Sequence, residues 1–429
     1  MTSLEGVTLG NVRLLGGPPA DLVLRDGRIA AIREPTAAAG RIDCAGLVAL
    51  PAFVDLHTHL REPGGEDAET IASGTRAAAY GGFSDVFAMA NCDPVTDTPG
   101  RIRYVLDTAA RTATARVHAV GAITTGLAGE QLAPLRDMAA AGARMFSDDG
   151  RCVDNPALVR AALVAARETG TVIAQHAQCR HLVGDGQINA GYAAEHTGFP
   201  GWPGVGEETV VARDVVLAAD TGAPLHICHV STARTVAVVR WAKAQGWPVT
   251  AEVTPHHLLL TDRQAATADT VYKVNPPLRS AEDVAAVRVA LLDGTIDAVA
   301  TDHAPHTAAR KAADWCGAAF GMTGLETALA VVAEVFGNEP DWALIAQRMS
   351  HNPARIGGIG AFAGRPLRAG EPATFTLIDT AANWTVDPAL GISRSHNSPM
   401  RGLRFRHRPV ATVVDGHLTA NLLPHLPPV

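Results

Sequence analysis

Leu47-Val-Ala-Leu-Pro-Ala-Phe-Val-Asp-Leu-His-Thr-His-Leu-Arg-Glu-Pro-Gly64 decides how this chain is read. Its first half, 47–53, is an apolar run of the length of a buried strand. Its second half carries chemistry. His57 and His59 are two apart, and side chains two apart on a strand share a face. Two imidazoles on one face, at the C-terminal end of a strand, can hold a metal ion. Arg61 follows with a planar fork of donors that matches a carboxylate. The stretch therefore points to a metal site beside an anion site, both placed where a strand ends.

Outward from this stretch, strand-like runs alternate with alanine-rich helical segments. Strands are expected at 47–59, 85–90, 116–123, 143–147, 172–176, 224–229, 248–253 and 298–302. Helices between them include 69–80, 129–141, 156–169, 207–221, 232–245 and 281–292. Eight such units predict an α/β fold of the (β/α)8 TIM-barrel type, in which chemistry sits at the C-terminal ends of the strands. The flanks read differently. Segments 7–15, 21–32 and 40–50 are short strands, and Asp26-Gly27 is a hairpin turn signal. Segments 373–379 and 409–417 resemble them, again with an Asp-Gly pair. Both ends are expected to meet in one small β-sandwich domain, 1–50 plus 365–429, beside a barrel domain of 51–364.

Composition narrows the class. The chain has 429 residues, 47% of them apolar, enough for a large core. Net charge is −7 and no basic run appears, which argues against a nucleic-acid surface. No stretch of about 18 or more apolar residues predicts a membrane span. The N-terminus has no basic and apolar leader pattern. The six cysteines form no C-x-x-C pair and fit neither a zinc knuckle nor a disulfide framework. The expectation is a soluble, cytoplasmic protein with free thiols. Lysine occurs only at Lys243, Lys273 and Lys311.

The candidate chemical residues satisfy the barrel constraint. His57 and His59 end the first expected strand and Asn91 follows the second. Asp148-Asp149-Gly150 follows the fourth, His176 ends the fifth, His229 the sixth and Asp302 the eighth. Taken singly, a histidine in an apolar strand is more often a hydrogen-bonded core residue, and Asp-Asp-Gly is usually a turn. Their shared position at one end of different strands favours ligation. Four imidazoles and two carboxylates suit two zinc-like ions sharing a bridging group.

Several segments now resemble one known group. They are 55–64, Phe146-Ser-Asp-Asp-Gly150, His229-Val-Ser231, Asn275-Pro-Pro-Leu-Arg279, Thr301-Asp-His-Ala-Pro-His306, Phe320-Gly321 with Gly324-Leu-Glu326, and Asn397-Ser-Pro-Met-Arg-Gly402. The chain resembles the amidohydrolase superfamily and, within it, the bacterial type I dihydroorotases. The resemblance implies that His57, His59 and Asp302 hold one metal, His176 and His229 the other, and that Asp149 and a hydroxide bridge them. Many related enzymes bridge with a carboxylated lysine on strand four. No lysine precedes position 243, so Asp149 is the substitute. The resemblance further implies a carboxylate clamp of Arg61, Asn91 and His306, with His59, Asn275, Phe320 and Gly321 also contacting substrate. A structural ion pair of Arg61 with Glu62 or Glu66 is the plainer alternative.

The implied reaction is reversible hydrolysis of dihydroorotate to N-carbamoyl-L-aspartate in pyrimidine synthesis. The bridging hydroxide attacks, and Asp302 accepts its proton and passes it to the leaving nitrogen. The rival readings are a cyclic amidase of the allantoinase or hydantoinase kind, and a non-catalytic scaffold for aspartate transcarbamoylase. The missing lysine and Arg61 count against the first, and the complete ligand set against the second. The resemblance also admits self-association and a complex with aspartate transcarbamoylase. His256 and His257 are read as supporting or structural, and His303 as pointing away. Gln178 stands near where relatives carry an acid, and 307–316 lacks their acidic character.

Overall fold

The computed structural model describes residues 2–37 and 40–429, so Met1, Ala38 and Ala39 of the expected N-terminal β region lie outside the description. Eight parallel strands follow one another in chain order: β1 (Phe53–Thr58), β2 (Phe83–Ala88), β3 (Arg116–Gly121), β4 (Met145–Phe146), β5 (Val172–Gln175), β6 (Leu225–Ile227), β7 (Val249–Val253) and β8 (Ala298–Val299). A parallel bridge between Thr58 and His303, and the bond from His59 N to His303 O at 2.8 Å, bring the end of β8 back to β1. The helices packed outside are α1 (Ile71–Tyr80), α2 (Pro99–Thr112), α3 (Leu135–Ala140), α4 (Pro156–Thr169), α5 (Val205–Thr221), α6 (Ala233–Ala244), α7 (Ala281–Asp293) and α8 (Ala328–Phe336). This is the expected (β/α)8 barrel.

Two expectations are corrected by prolines. The single strand predicted over 47–59 divides at Pro51: Leu47–Pro51 pairs antiparallel with Phe375–Thr385, and only Phe53–Thr58 enters the barrel. Proline has no N–H to continue a ladder. The helix predicted over 129–141 shrinks to α3, which starts only after Pro134. Helix α2, absent from the sequence reading, had its signal in Thr98-Pro99, where the Thr98 side chain caps Arg101 N and proline takes the first turn.

The termini form one nine-stranded sheet, which runs from Thr2–Ser3 through His417–Asn421, Arg404–Val414, Phe375–Thr385, Leu47–Pro51 and Thr8–Leu14 to the hairpin Pro19–Arg25 and Arg28–Arg33, with the short strand Ile42–Asp43 also paired to Thr8–Leu14. The sandwich expected here is thus a continuous sheet curled over one core of Leu9, Leu22, Ile29, Phe375, Leu377 and Val413. The two Asp-Gly turns close the curl against each other. Asp26, Gly27, Asp415 and Gly416 all have positive φ, and a Cβ on Gly416 would lie 2.8 Å from Gly27 Cα.

Alternation along the strands separates two layers. Val54, Leu56, Phe87, Val120, Met145, Val172, Ala174, Ala298 and Ala300 fill the barrel, together with Ile356 and Ile359 from the segment after β8. Phe53, Val86, Val117, Phe146, Ile173, Leu225, Ala251 and Val299 face the helices. One polar cluster interrupts the barrel interior. Asp85, fully buried on β2, takes two bonds from Arg116 (2.9 and 2.8 Å) and one contact from His118 Nε2 (2.9 Å). Burial would raise its carboxyl, but these partners hold it down at about 2. Because its pKa falls on folding, Asp85 adds stability above about pH 4 that is lost as pH drops towards its folded value. Asp85→Ala should therefore cost about 3–5 kcal/mol, the usual loss when a buried charge is left alone. Asp415→Asn, removing the outer Arg116 partner that is 55% exposed, should cost under about 1 kcal/mol. Urea denaturation midpoints at neutral pH check the contrast.

Candidate metal centre

Asp149 lies at the middle of the barrel mouth. Its Oδ1 is 3.1 Å from His57 Nε2, 3.1 Å from His176 Nδ1 and 3.6 Å from His229 Nε2, and its Oδ2 is 3.3 Å from His59 Nε2. Asp302 Oδ1 is 3.0 Å from His59 Nε2 and 3.5 Å from His57 Nε2. All six residues are at most 5% exposed. Five of them form two compact triplets that share Asp149: His57, His59 and Asp149, and Asp149, His176 and His229; Asp302 joins through its contacts to His59 and His57. Burial would raise the carboxyls of Asp149 and Asp302, but the surrounding imidazoles hold both well below the usual carboxylate range.

The donor set fits divalent metal ions. His57 Nε2 is buried with no hydrogen-bond partner, while its Nδ1 lies 2.9 Å from Glu252 Oε1. A carboxylate on one ring nitrogen keeps the proton there and turns the other lone pair towards the cluster. Glu252 Oε2 also meets His226 Nε2 at 2.9 Å, and His226 Nδ1 meets Thr250 Oγ1 at 2.9 Å. Burial would raise the Glu252 carboxyl, yet the two imidazoles bring it to about 2. Sequence reasoning missed Glu252 and His226. The signal was a carboxylate inside the apolar strand Val249-Thr-Ala-Glu-Val253, since a buried strand does not keep an unpaired charge. His176 is held similarly: its Nε2 is 2.8 Å from Gln178 Oε1, which also accepts from Asn275 Nδ2 at 2.9 Å. Gln178 thus supplies an acceptor that fixes the ring of His176.

Three non-glycine residues at the mouth have left-handed backbone: Arg61 (φ 59°), His229 (φ 34°) and Asp302 (φ 47°). Each such conformation costs about 1–3 kcal/mol and persists where the surroundings over-determine it. Two of the three belong to the cluster, and the third is the proposed anion fork.

The remaining sequence candidates fall around the cluster. Asn91 Oδ1 is 2.8 Å from His59 Nδ1, and its Nδ2 is 3.5 Å from Asp149 Oδ2. Arg61 Nε donates to Pro305 O at 3.1 Å, and its Nη2 lies 3.4 Å from His306 Nε2. Among the described residues no carboxylate pairs with Arg61. Glu62 instead accepts from Ile71 N, and Glu66 from Gly64 N, at 2.9 Å each. The plainer reading of Arg61 is therefore set aside. His306 Nε2 donates to Phe320 O at 2.7 Å, and burial with the Arg61 charge keeps the ring neutral, its pKa near about 3. Gly321 (φ 137°) lets the chain pass close: a Cβ there would lie 2.7 Å from Ala304 Cβ and 2.9 Å from His306 Nε2. His303 Nε2 turns away to Glu69 (3.3 Å), and His257 is tied to Thr254 and Pro276 O. His256 Nε2 is buried without a partner.

Glu252→Gln should weaken metal retention by about 10–100-fold, the usual effect of losing a group that orients a ligand. Metal content after titration with a graded chelator measures this. Wild-type retention in the variant would remove Glu252 from the metal argument.

Residues 46–235 match the family described as Dihydro-orotase-like. The chain is 50% identical over 420 residues to the dihydroorotase of Streptomyces coelicolor, covering 95% of this chain and 98% of that protein. It is 48% identical over 422 residues to the dihydroorotase of Mycobacterium tuberculosis, covering 96% and 98%. Among solved structures it matches the L-hydantoinase (dihydropyrimidinase) from Arthrobacter aurescens with TM-score 0.86 and 25% identity, over 98% of this chain and 96% of that one. A dihydropyrimidinase from Brevibacillus agri NCHU1002 matches in fold, with TM-score 0.81 and 20% identity over 97% and 95%.

Proposed function

The chain belongs to the dihydroorotase family, and from that premise we propose that it catalyses the reversible hydrolysis of (S)-dihydroorotate to N-carbamoyl-L-aspartate. This is a ring-opening and ring-closing step of de novo pyrimidine synthesis. In this reading the barrel unit is 51–364, with 1–50 and 365–429 as the smaller β unit. His57, His59 and Asp302 would hold one zinc-like ion and His176 and His229 a second, with Asp149 shared between the two groups. Bound there, two such ions supply Lewis acidity and a water of lowered pKa.

The protein's own groups do the rest. Asp302 accepts a proton from the attacking water as the new C–O bond forms at the ring amide carbon. It returns that proton to the ring nitrogen as the C–N bond breaks. In reverse, the same carboxylate takes the proton from the carbamoyl nitrogen as the C–N bond forms, and returns it to the departing hydroxide as the C–O bond breaks, releasing water. Arg61 binds the substrate carboxylate through N–H groups that no carboxylate engages among the described residues, with His306 beside it and Asn91 completing the clamp. Asn275 and the backbone at Phe320-Gly321 meet the ring.

The observation that carries this reading is the Arg61 fork, which no carboxylate pairs among the described residues, at the mouth that holds the triplets sharing Asp149. A dihydroorotate ring carries a carboxylate for that fork and a neutral hydantoin does not. The hydantoinase-like fold supports a cyclic amide substrate. The absence of lysine before position 243, with Asp149 at the end of β4, disfavours a site bridged by a modified lysine.

A ring-opening assay with dihydroorotate, allantoin and hydantoin, before and after chelation, tests the proposal. Turnover of dihydroorotate alone, lost on chelation and restored by divalent metal, is expected. Preferential opening of hydantoin or allantoin would overturn it. Asp302→Asn should lower kcat by about 10²–10⁴-fold, the range of a lost acid–base group, without unfolding the protein. Near wild-type turnover would exclude the proton-transfer role. Arg61→Met should raise the KM for dihydroorotate by about 10–100-fold, the loss of a charged hydrogen-bonding pair. An unchanged KM would take the carboxylate clamp out of the reading.

A further inference from the structure

Two of the chain's three lysines are buried together, and the cluster chemistry uses neither. Lys273 is 1% exposed and Lys311 is 8% exposed. Lys243, by contrast, is a partly exposed residue paired with Asp297 at 2.6 Å. Among the described residues neither Lys273 nor Lys311 pairs with a carboxylate. Each spends its three donors on backbone carbonyls. Lys273 Nζ donates to Trp315 O (2.6 Å), Cys316 O (3.1 Å) and Ala318 O (2.8 Å). Lys311 Nζ donates to Lys273 O (3.2 Å), Ala319 O (3.0 Å) and Gly321 O (3.1 Å).

The segment they hold has no frame of its own. Residues 312–321 form neither helix nor strand. Five of its carbonyls converge on two points, an arrangement in which carbonyl oxygens repel one another unless a cation sits among them. Removing one ammonium would leave buried acceptors unpaired, so the segment would relax rather than keep its shape. Its far end is the substrate side of the mouth. Phe320 O accepts from His306 Nε2 at 2.7 Å, and Asn397 Nδ2 reaches Gly321 O at 3.2 Å. Gly321 N returns to Lys273 O at 3.0 Å, two residues before Asn275. The Phe320 ring lies 4.2 Å from Lys273 Nζ.

We infer that Lys273 and Lys311 are positioning residues for substrate binding: they fix the 315–321 segment and, through Phe320 O and Gly321, the His306 ring beside Arg61. They touch no reacting atom. Their effect falls on how well the mouth is shaped for the substrate before it arrives, which is a binding effect more than a chemical one. The inference rests on the dihydroorotate reading given above.

The test uses the metal-loaded enzyme and steady-state kinetics with dihydroorotate. Lys311→Met and Lys273→Met should each raise KM by about tenfold or more while kcat changes by less than about threefold, the signature of lost binding without lost chemistry. Metal content should equal wild type. The double variant should show less than the product of the single effects, since both lysines act on one segment. A merely structural role predicts the opposite: a smaller active fraction, seen as lower kcat per total protein, with KM unchanged. That result would overturn the inference. Should the methionine variants not fold, Thr270→Val replaces them. Its hydroxyl bonds Lys311 O from outside the mouth, and its loss should raise KM in the same direction. An unchanged KM there also overturns the inference. If the wild-type enzyme does not open dihydroorotate, the substrate reading itself fails. If it does and these variants keep wild-type KM, only the lysine inference fails.

Discussion

One carboxylate among four imidazoles is the interaction on which the barrel mouth depends. Asp149 is 4% exposed, and moving such a charge out of water costs several kcal/mol unless partners replace the solvent. His57, His59, His176 and His229 do so from three different strands' ends, so each strand end is fixed by the same central group. Around it a ring of further buried carboxylates holds backbone rather than ligands. Asp55 Oδ1 accepts from His57 N (3.1 Å) and Thr301 N (3.0 Å), tying β1 to the end of β8. Asp148 Oδ1 accepts from Ile123 N (2.7 Å) and Thr124 N (3.0 Å), tying the end of β4 to that of β3. Glu207 accepts from Ser231 N (3.0 Å) just past His229. The polar mouth is therefore rigid because its acids are satisfied by the chain, not by solvent.

Part of this site was legible from period-two alternation. Met145, Ser147 and Asp149 form one inward series, Val172, Ala174 and His176 a second, and Ala298, Ala300 and Asp302 a third. In each, an apolar wall residue that fills the barrel predicts where the last polar side chain points. The other ligands break the rule. Val54 and Leu56 are the inward residues of β1, so strict alternation would turn His57 and His59 outward. The register shifts between Asp55 and Thr58, and this irregularity re-aims both rings. His226 and Cys228 are the inward positions of β6, and His229 joins the cluster through a left-handed backbone. A bulge and a strained φ at a non-glycine residue leave no local mark in sequence. Nor does the Glu252–His57 contact, which joins residues 195 positions apart.

The two kinds of cation in the mouth do different work because their chemistry differs. Burial lowers the pKa of Arg61, yet a delocalised guanidinium stays charged in any protein and keeps its planar fork for a carboxylate. Lysine presents three donors around a point, a poor match for a carboxylate's plane but a good one for three converging carbonyls. The proposed anion fork is thus the arginine, whereas Lys273 and Lys311 sit where backbone oxygens meet.

A barrel of this kind is shared by enzymes that open several cyclic amides, so architecture alone leaves the substrate open. What narrows it here is a short set of replacements at fixed strand ends. An aspartate stands at the end of β4 where a lysine would need chemical modification to bridge. An arginine, held by Pro305 O and, among the described residues, paired with no carboxylate, stands just beyond β1. Contacts of 2.8–3.5 Å link Asp149, Asn91, His59 and Asp302 to one another, while Arg61 is anchored separately, by Pro305 O and beside His306. In the proposed reading Arg61 would match the substrate's charge and Asp149 would supply the bridge, so exchanging one without the other would leave a site with an unmatched charge.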